Sequence, residues 1–227
     1  MSLSIIIPCL NEADGIAGTL EALQPLRGRG AEVIVVDGGS RDETLAIAQP
    51  LADAAFAAPR GRAAQMNAGA ARARGQILLF LHADCLLPEA ADGLIIDGLN
   101  RSRKSWGRFD VRIDSRHPVL RVVEALMNLR SRATGICTGD QCLFATRALF
   151  DTLGGYAELP LMEDIEFSRR ARRRAWPIAI DARATTSGRR WEHHGVARTV
   201  LLMWRLRLAY FLGADPARLA ADYRDAR

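Results

Sequence analysis

The feature that most constrains this chain is a rhythm in its first third: short apolar runs alternate with stretches of helix length. Residues 3–7 (Leu-Ser-Ile-Ile-Ile) are β-rich and closed by Pro8. A helical pattern follows, with Ile16, Leu20 and Leu23 on one face. Residues 32–36 form a second apolar run, which ends in Asp37-Gly38-Gly39-Ser40. Residues 42–52 read as a helix and residues 54–58 as a weak strand. Residues 60–74 read as an Ala-rich helix that stops at Gly75, and residues 76–81 are the strongest strand, ending in His82-Ala83-Asp84. Strands and helices alternating at these lengths predict βαβ units and a parallel sheet. Strands apolar on both faces predict helices on both sides of it.

The second half is less regular. A helix is expected over residues 88–99 with Pro88 in its first turn. Residues 106–114 alternate like a half-exposed strand through Phe109, Val111 and Ile113. Further elements are a helix over 118–132, a short strand over 142–145, a helix opening at Met162-Glu163-Asp164, and a strand over 178–180. An amphipathic helix over 198–212 precedes a polar tail from Ala214. The expected organisation is one domain over 1–195 with a C-terminal helix and tail over 196–227 in the same unit.

Composition narrows the classes. A chain of 227 residues that is 49% hydrophobic can bury a full core. Its net charge of +5 comes almost wholly from arginine, since Lys104 is the only lysine. Arginine forks suit oxyanions such as phosphate. The one dense basic run, Arg169 to Arg174, reads as a solvated helix face without interleaved aromatics, so no nucleic-acid partner is expected. Cys9, Cys85, Cys137 and Cys142 show no metal or redox spacing and read as reduced thiols. No basic stretch precedes the first apolar run, so a signal peptide is not expected. Residues 200–212 are too short and are interrupted by Arg205 and Arg207, so they do not span a bilayer. The expected location is cytoplasmic, with peripheral membrane contact as the variant. The stripe of Leu201, Trp204, Leu208 and Phe211 docks on the core or on a second copy in a homodimer, or lies on a membrane beside a lipid-linked acceptor.

In open α/β sheets, ligands bind beyond the carboxyl ends of the strands. Three polar clusters fall there: Asn11 with Glu12, Asp37, and His82 with Asp84. A P-loop is absent, as is Gly-x-Gly-x-x-Gly after the first strand. A sugar nucleotidylyltransferase would need a Gly-rich basic loop where Cys9-Leu10-Asn11-Glu12 stands.

The ordered set Ile7-Pro8, Asn11-Glu12, Val36-Asp37-Gly38-Gly39-Ser40-x-Asp42, His82-Ala83-Asp84 and Glu163-Asp164 resembles the inverting family 2 glycosyltransferases, over about residues 3–191. Four finer motifs resemble a small bacterial subgroup linked to arsenosugar biosynthesis. They are Gly61-Arg62-Ala63-Ala64-Gln65-Met66-Asn67-x-Gly69, Leu81-His82-Ala83-Asp84, Thr138-Gly139-Asp140-Gln141 and Ser187-Gly188-Arg189-Arg190-Trp191. The resemblance implies an α/β fold of GT-A type, with a mostly parallel sheet, and hexosyl transfer from a nucleotide-sugar, a UDP-sugar being favoured. The acceptor would be a small-molecule or lipid-linked hydroxyl.

The resemblance also assigns residues. Asp84 would hold Mg²⁺ or Mn²⁺ against the departing pyrophosphate, because hard cations take carboxylates and phosphates. His82 stands where the family has the first Asp of Asp-x-Asp, so that Asp's contact is altered here. Asp37 would meet the nucleotide base, with Pro8, Asn11 and Glu12 in the first nucleotide loop. Arg62 would pair with the diphosphate or line the base pocket, and Arg189 and Arg190 would close over the pyrophosphate and acceptor. Asp164 would be the catalytic base, ionised at neutral pH, with Glu163 orienting it. Asp140 and Trp191 would line the acceptor pocket, and His193 would add a metal ligand. Plainer roles stand beside these. Asp37 suits its own turn, Asp84 a helix cap, and Glu12, Glu163 and Asp164 the positive end of a helix dipole. Asn67 and Gly69 suit helix packing.

Overall fold

The computed structural model describes the backbone of residues 1–225, and the side chains of Arg190, His193, His194, Arg224 and Asp225 lie outside the described set. In chain order the first elements are β1 (Leu3–Cys9), α1 (Ala13–Ala22), α2 (Gln24–Gly28), β2 (Glu32–Asp37), α3 (Thr44–Ala48), β3 (Ala54–Ala57), α4 (Arg62–Arg72), β4 (Ile77–Phe80) and β5 (Cys85–Leu86). Then come α5 (Ala91–Ser102), β6 (Trp106–Asp114), α6 (Val119–Thr134), β7 (Phe144–Thr146), α7 (Arg147–Thr152), α8 (Glu163–Arg172) and β8 (Ile178–Ser187). The chain closes with α9 (Arg189–His194), α10 (Val196–Phe211) and α11 (Pro216–Asp225).

The strands make one eight-stranded sheet in the order β3-β2-β1-β4-β7-β6-β8-β5. The first four are parallel, β7 runs antiparallel between β4 and β6, and β6 and β8 are parallel again. This is the expected α/β architecture with a mostly parallel sheet. Period-two alternation sends neighbouring residues to opposite faces. Ile5, Ile7, Val33, Val35, Ile77 and Leu79 pack with Ile16, Leu20 and Leu26 of α1 and α2, and with Ile95 and Leu99 of α5. Ile6, Ile34, Val36, Leu78 and Phe80 pack on the other face with Met66 and Ala70 of α4, Phe150 of α7 and Phe167 of α8. Each fully buried aliphatic side chain of this kind contributes roughly 1.5–3 kcal/mol. Gly69 lets α4 approach the sheet, since a Cβ there would lie 2.4 Å from Ile6 Cγ2. Asn67 ties the loop after α7 to the same helix: its Nδ2 donates to Tyr156 O at 2.9 Å, and its Oδ1 accepts Tyr156 N–H at 2.9 Å.

Several boundaries differ from the sequence reading. Pro8 lies within β1, paired with Val36, but beyond the last β1–β4 pair at Ile6, where its missing N–H breaks no ladder on that side. Helix α5 starts at Ala91 after a turn closed by Ala91 N–H to Pro88 O. Strand β6 is buried over its first four residues instead of half exposed, because it is an interior strand flanked by β7 and β8. Strand β7 starts after Cys142, which sits in the left-handed region. Strand β8 runs on from Ile180 to Ser187, with a bulge in its pairing with β6 after Phe109. The expected polar tail contains α11, which buries Leu219 and Ala220.

Helix α10 docks through Leu206, packed with Ile136, Met162, Ile165 and Leu219. The stripe Leu201, Trp204, Leu208 and Phe211 is not docked on the core of its own chain, with Leu201 72% and Trp204 68% exposed. All four cysteines are buried and unpaired. Among the described residues, no helix is long and apolar enough to cross a membrane.

Candidate functional site

The carboxyl ends of β1 and β2 are stitched together by their loops. Asn11, held at φ 53°, donates its N–H to Ser40 Oγ at 2.8 Å and accepts Arg41 N–H on Oδ1 at 2.9 Å. Glu12 N–H donates to Thr44 Oγ1 at 2.8 Å, and Ala13 N–H to Asp42 Oδ2 at 3.2 Å. Asp37 is buried at the end of β2. Its Oδ2 accepts the N–H groups of Gly39 and Ser40 at 2.9 Å each, and Ser40 Oγ donates to its Oδ1. Its carboxylate therefore organises its own turn and, through Ser40, fixes Asn11. Gln65 of α4 reinforces this corner by donating to Cys9 O and Val36 O.

The pairing of β5 with β8 brings a distant segment to the same rim. Cys85 and Leu86 pair with Thr186 and Thr185, and Ser187 N–H donates to Asp84 O. Arg189 follows, donates to Ser187 Oγ at 3.1 Å and stands 3.9 Å from Glu12. A cavity of about 830 Å³ opens here. Asn11, Glu12 and Asp84 from loops after the strands, Asp140, Ser187, Arg189 and Trp191, and residues of α6 and α10 line it.

Beside Asp140 lies a charged cluster. Asp164, in the first turn of α8, accepts Gly139 N–H at 2.8 Å on Oδ2 and Ile165 N–H at 2.7 Å on Oδ1. Burial and the neighbouring Glu163 raise its pKa above the ordinary carboxylate value, against the pull of Gly139 N–H and Arg62. Glu163 is 2% exposed and pairs with Arg62 at 3.0 Å. Burial works against the Arg62 charge, but Glu163 and Asp164 outweigh it and hold the guanidinium firmly protonated. Met162, just before this pair, has φ 71°. A non-glycine residue in that region costs roughly 1–2 kcal/mol. Among the described residues, three of the four such positions, Asn11, Cys142 and Met162, flank the cavity or this cluster. Backbone strain gathers at functional sites.

His82 lies across from Asp140, with Nδ1 3.4 Å from Oδ1. Burial disfavours the imidazolium, but hydrogen bonds to Asp140 and Cys85 more than offset that and raise its pKa to about 10. At neutral pH it is a cation where an aspartate would be an anion. It rests against Gly139, whose Cβ, if present, would lie 2.2 Å from His82 Nε2.

Asp84 and Asp140 border one cavity, and carboxylates suit Mg²⁺ or Mn²⁺. His82, Cys85 and Asp140 place ligand atoms within 4.8 Å of one another, a softer set that a transition metal would use only by displacing the His82 and Cys85 protons.

Of the residues singled out from sequence, Asn11, Glu12, Asp84, Asp140, Arg189 and Trp191 share the cavity. Arg62, Glu163, Asp164 and His82 form the cluster behind it, and Pro8 and Asp37 support the rim from the strands. The side chains of Arg190 and His193 lie outside the described residues. Ser187 entered only as part of a motif, and sequence reasoning missed Thr186, Arg130 and Arg207; all four line the cavity. The β-branched run Thr185-Thr186 was the available signal for Thr186; the two arginines carried none, because each sits on a helix that reads as locally solvated.

The model for "Glycosyl transferase family 2" matches residues 4–151. A 49-residue stretch is 51% identical to the succinoglycan biosynthesis protein ExoA of Rhizobium meliloti (strain 1021), covering 21% of this chain and 15% of that protein. Residues 1–349 of S. aureus TarS, solved with UDP-GlcNAc, superpose with a TM-score of 0.67 at 18% identity, over 82% of this chain and 58% of that one. Glucosyl-3-phosphoglycerate synthase of Mycobacterium tuberculosis, solved with Mn²⁺, UDP and glucosyl-3-phosphoglycerate, superposes with a TM-score of 0.60 at 18% identity, over 80% and 70%. These structures share the GT-A architecture seen here.

Proposed function

This chain belongs to glycosyl transferase family 2, and on that premise we propose that it moves a hexosyl group, with inversion, from a UDP-sugar to the hydroxyl of a small-molecule acceptor. The observation that carries this reading is one cavity shared by Asp84, on the rim of the parallel sheet, and Asp140, on the loop fixed to Asp164. A donor held on the first side would present its anomeric carbon toward the second. Asp164 takes the acceptor proton as the acceptor oxygen bonds the anomeric carbon and the bond from that carbon to phosphate breaks. The nucleoside diphosphate leaves. Burial makes Asp164 a stronger base than a solvated aspartate. Glu163 and Arg62 hold the start of its helix in place. Asp84 and Asp140 would hold Mg²⁺ or Mn²⁺, which supplies neutralisation of the departing pyrophosphate.

The UDP-GlcNAc in TarS and the UDP with Mn²⁺ in the mycobacterial synthase support the choice of nucleotide and ion. The motifs around Arg62, His82, Asp140 and Arg189 support the narrower placing in the arsenosugar-biosynthesis subgroup. A second reading, transfer to a polyprenyl phosphate at a membrane surface, is favoured by one observation. The exposed stripes Val122, Leu126 and Leu129 of α6 and Leu201, Trp204 and Leu208 of α10 flank the cavity. Pelleting with vesicles decides between them; recovery only in the supernatant removes the second.

The direct test is UDP release from UDP-glucose, UDP-GlcNAc and UDP-galactose with Mn²⁺, followed across pH with a panel of polyol acceptors and hydroxyalkyl phosphates. Because Asp164 must be ionised and its pKa is raised, kcat/KM should fall with acid through a midpoint above the ordinary aspartate value of about 3.9. Absence of release from every nucleotide-sugar at every pH overturns the proposal.

A further inference from the structure

We propose that Arg130 and Arg207 clamp an anionic group of the acceptor, so that the acceptor is an anionic amphiphile with its apolar body along α6 and α10. This rests on the glycosyltransferase reading of the cavity. Both arginines line the same cavity as Asn11, Glu12 and Arg189, from helices α6 and α10. Arg130 NH1 donates to Ile136 O at 3.2 Å, but its Nε and NH2 are buried without a hydrogen-bond partner. Buried polar groups are almost always paired, and an unpaired one on a cavity wall marks a place where a ligand completes the bonding. Nε and NH2 together form one edge of the guanidinium fork, the edge that binds phosphate or carboxylate with two parallel bonds.

The electrostatics agree with that geometry. Burial lowers the Arg130 pKa to about 10, and Arg207 pushes it further in the same direction. Arg130 thus meets a second cation in a largely desolvated place where Asp164 offsets only part of the effect, an arrangement that a bound anion relieves further. The lining that α6 and α10 add around them is mainly apolar: Val123, Leu126, Met127, Met203 and Trp204. An uncharged sugar acceptor would leave the guanidinium edge unbonded and meet hydrocarbon where it needs polar partners. A bare inorganic anion would leave the apolar wall uncovered. The donor diphosphate has its own partners elsewhere in the cavity, where Asp84 and Arg189 stand. Asp164 also acts on the Arg130 charge, so the proposed base and the clamp belong to one electrostatic neighbourhood.

The test uses octyl phosphate, octyl glucoside and methyl phosphate, each below its critical micelle concentration, binding to the full chain loaded with UDP and Mn²⁺. Octyl phosphate should bind at least tenfold more tightly than either of the others. Arg207→Gln and Arg130→Gln should each erase that preference while the response to UDP with Mn²⁺ persists. Equal binding of octyl glucoside, or loss of UDP binding instead of octyl phosphate binding in Arg207→Gln, overturns the clamp. If the wild type ignores UDP, the donor reading fails on its own, and the octyl phosphate preference and its loss in Arg207→Gln still judge the clamp.

Discussion

The two sides of the cavity are built by different means. On the proposed donor side, loops at the ends of buried parallel strands hold one another through Ser40, Asp42, Thr44 and Asp37. On the proposed acceptor side, α6 and α10 present an apolar wall, two arginines and stripes of exposed hydrophobic residues. The donor side is a product of sheet geometry. The acceptor side is a product of which helices happen to meet. On the proposed reading, the first side serves the donor and the second the choice of acceptor.

The largest effect should come at the join between the two sides. Asp164→Asn should retain UDP binding and lower turnover by about 10²–10⁴-fold, the usual worth of a general base. Steady-state kinetics beside a binding isotherm would check it. Unchanged turnover would mean that Asp164 serves only Gly139 and the start of its helix. Next is a purely structural probe of the donor side. Gly69→Ala forces a methyl group into Ile6 and should cost about 1–3 kcal/mol in urea unfolding, as overpacking does. An unchanged midpoint would show that the donor side is less rigid than described. The smallest effect belongs to the acceptor side. Trp204→Ser removes a mostly exposed indole and should shift stability by no more than about 0.5 kcal/mol. A large loss would mean that the stripe is already covered, for example by a second copy.

The same contrast explains what the sequence revealed. Strands β1, β2 and β4 were legible because each is a short run apolar on both faces, followed by Asn11-Glu12, by Gly38-Gly39 or by His82. Their polar ends named Asn11, Glu12 and Asp84 before any coordinates. Strand β8 was only partly legible. Asp181 and Arg183 point outward among threonines, so its core-facing alternation of Ala184 and Thr186 is nearly polar throughout. Helix α11 was missed because it buries little beyond Leu219 and Ala220. Arg130 and Arg207 were invisible as a pair. Each follows a helical period that reads as solvated, and only the packing of α10 against the start of α8 brings them to one wall.

The central claim is that Asp84, at the end of the fourth parallel strand, makes nucleotide binding depend on a metal. A thermal-shift panel of UDP, GDP, CDP and ADP, with and without Mn²⁺, tests it most directly, because a ligand that binds the native state raises the midpoint by mass action. The account predicts a shift with UDP that requires Mn²⁺ and disappears in Asp84→Ala. A shift that ignores Mn²⁺, or that survives intact in Asp84→Ala, would contradict it.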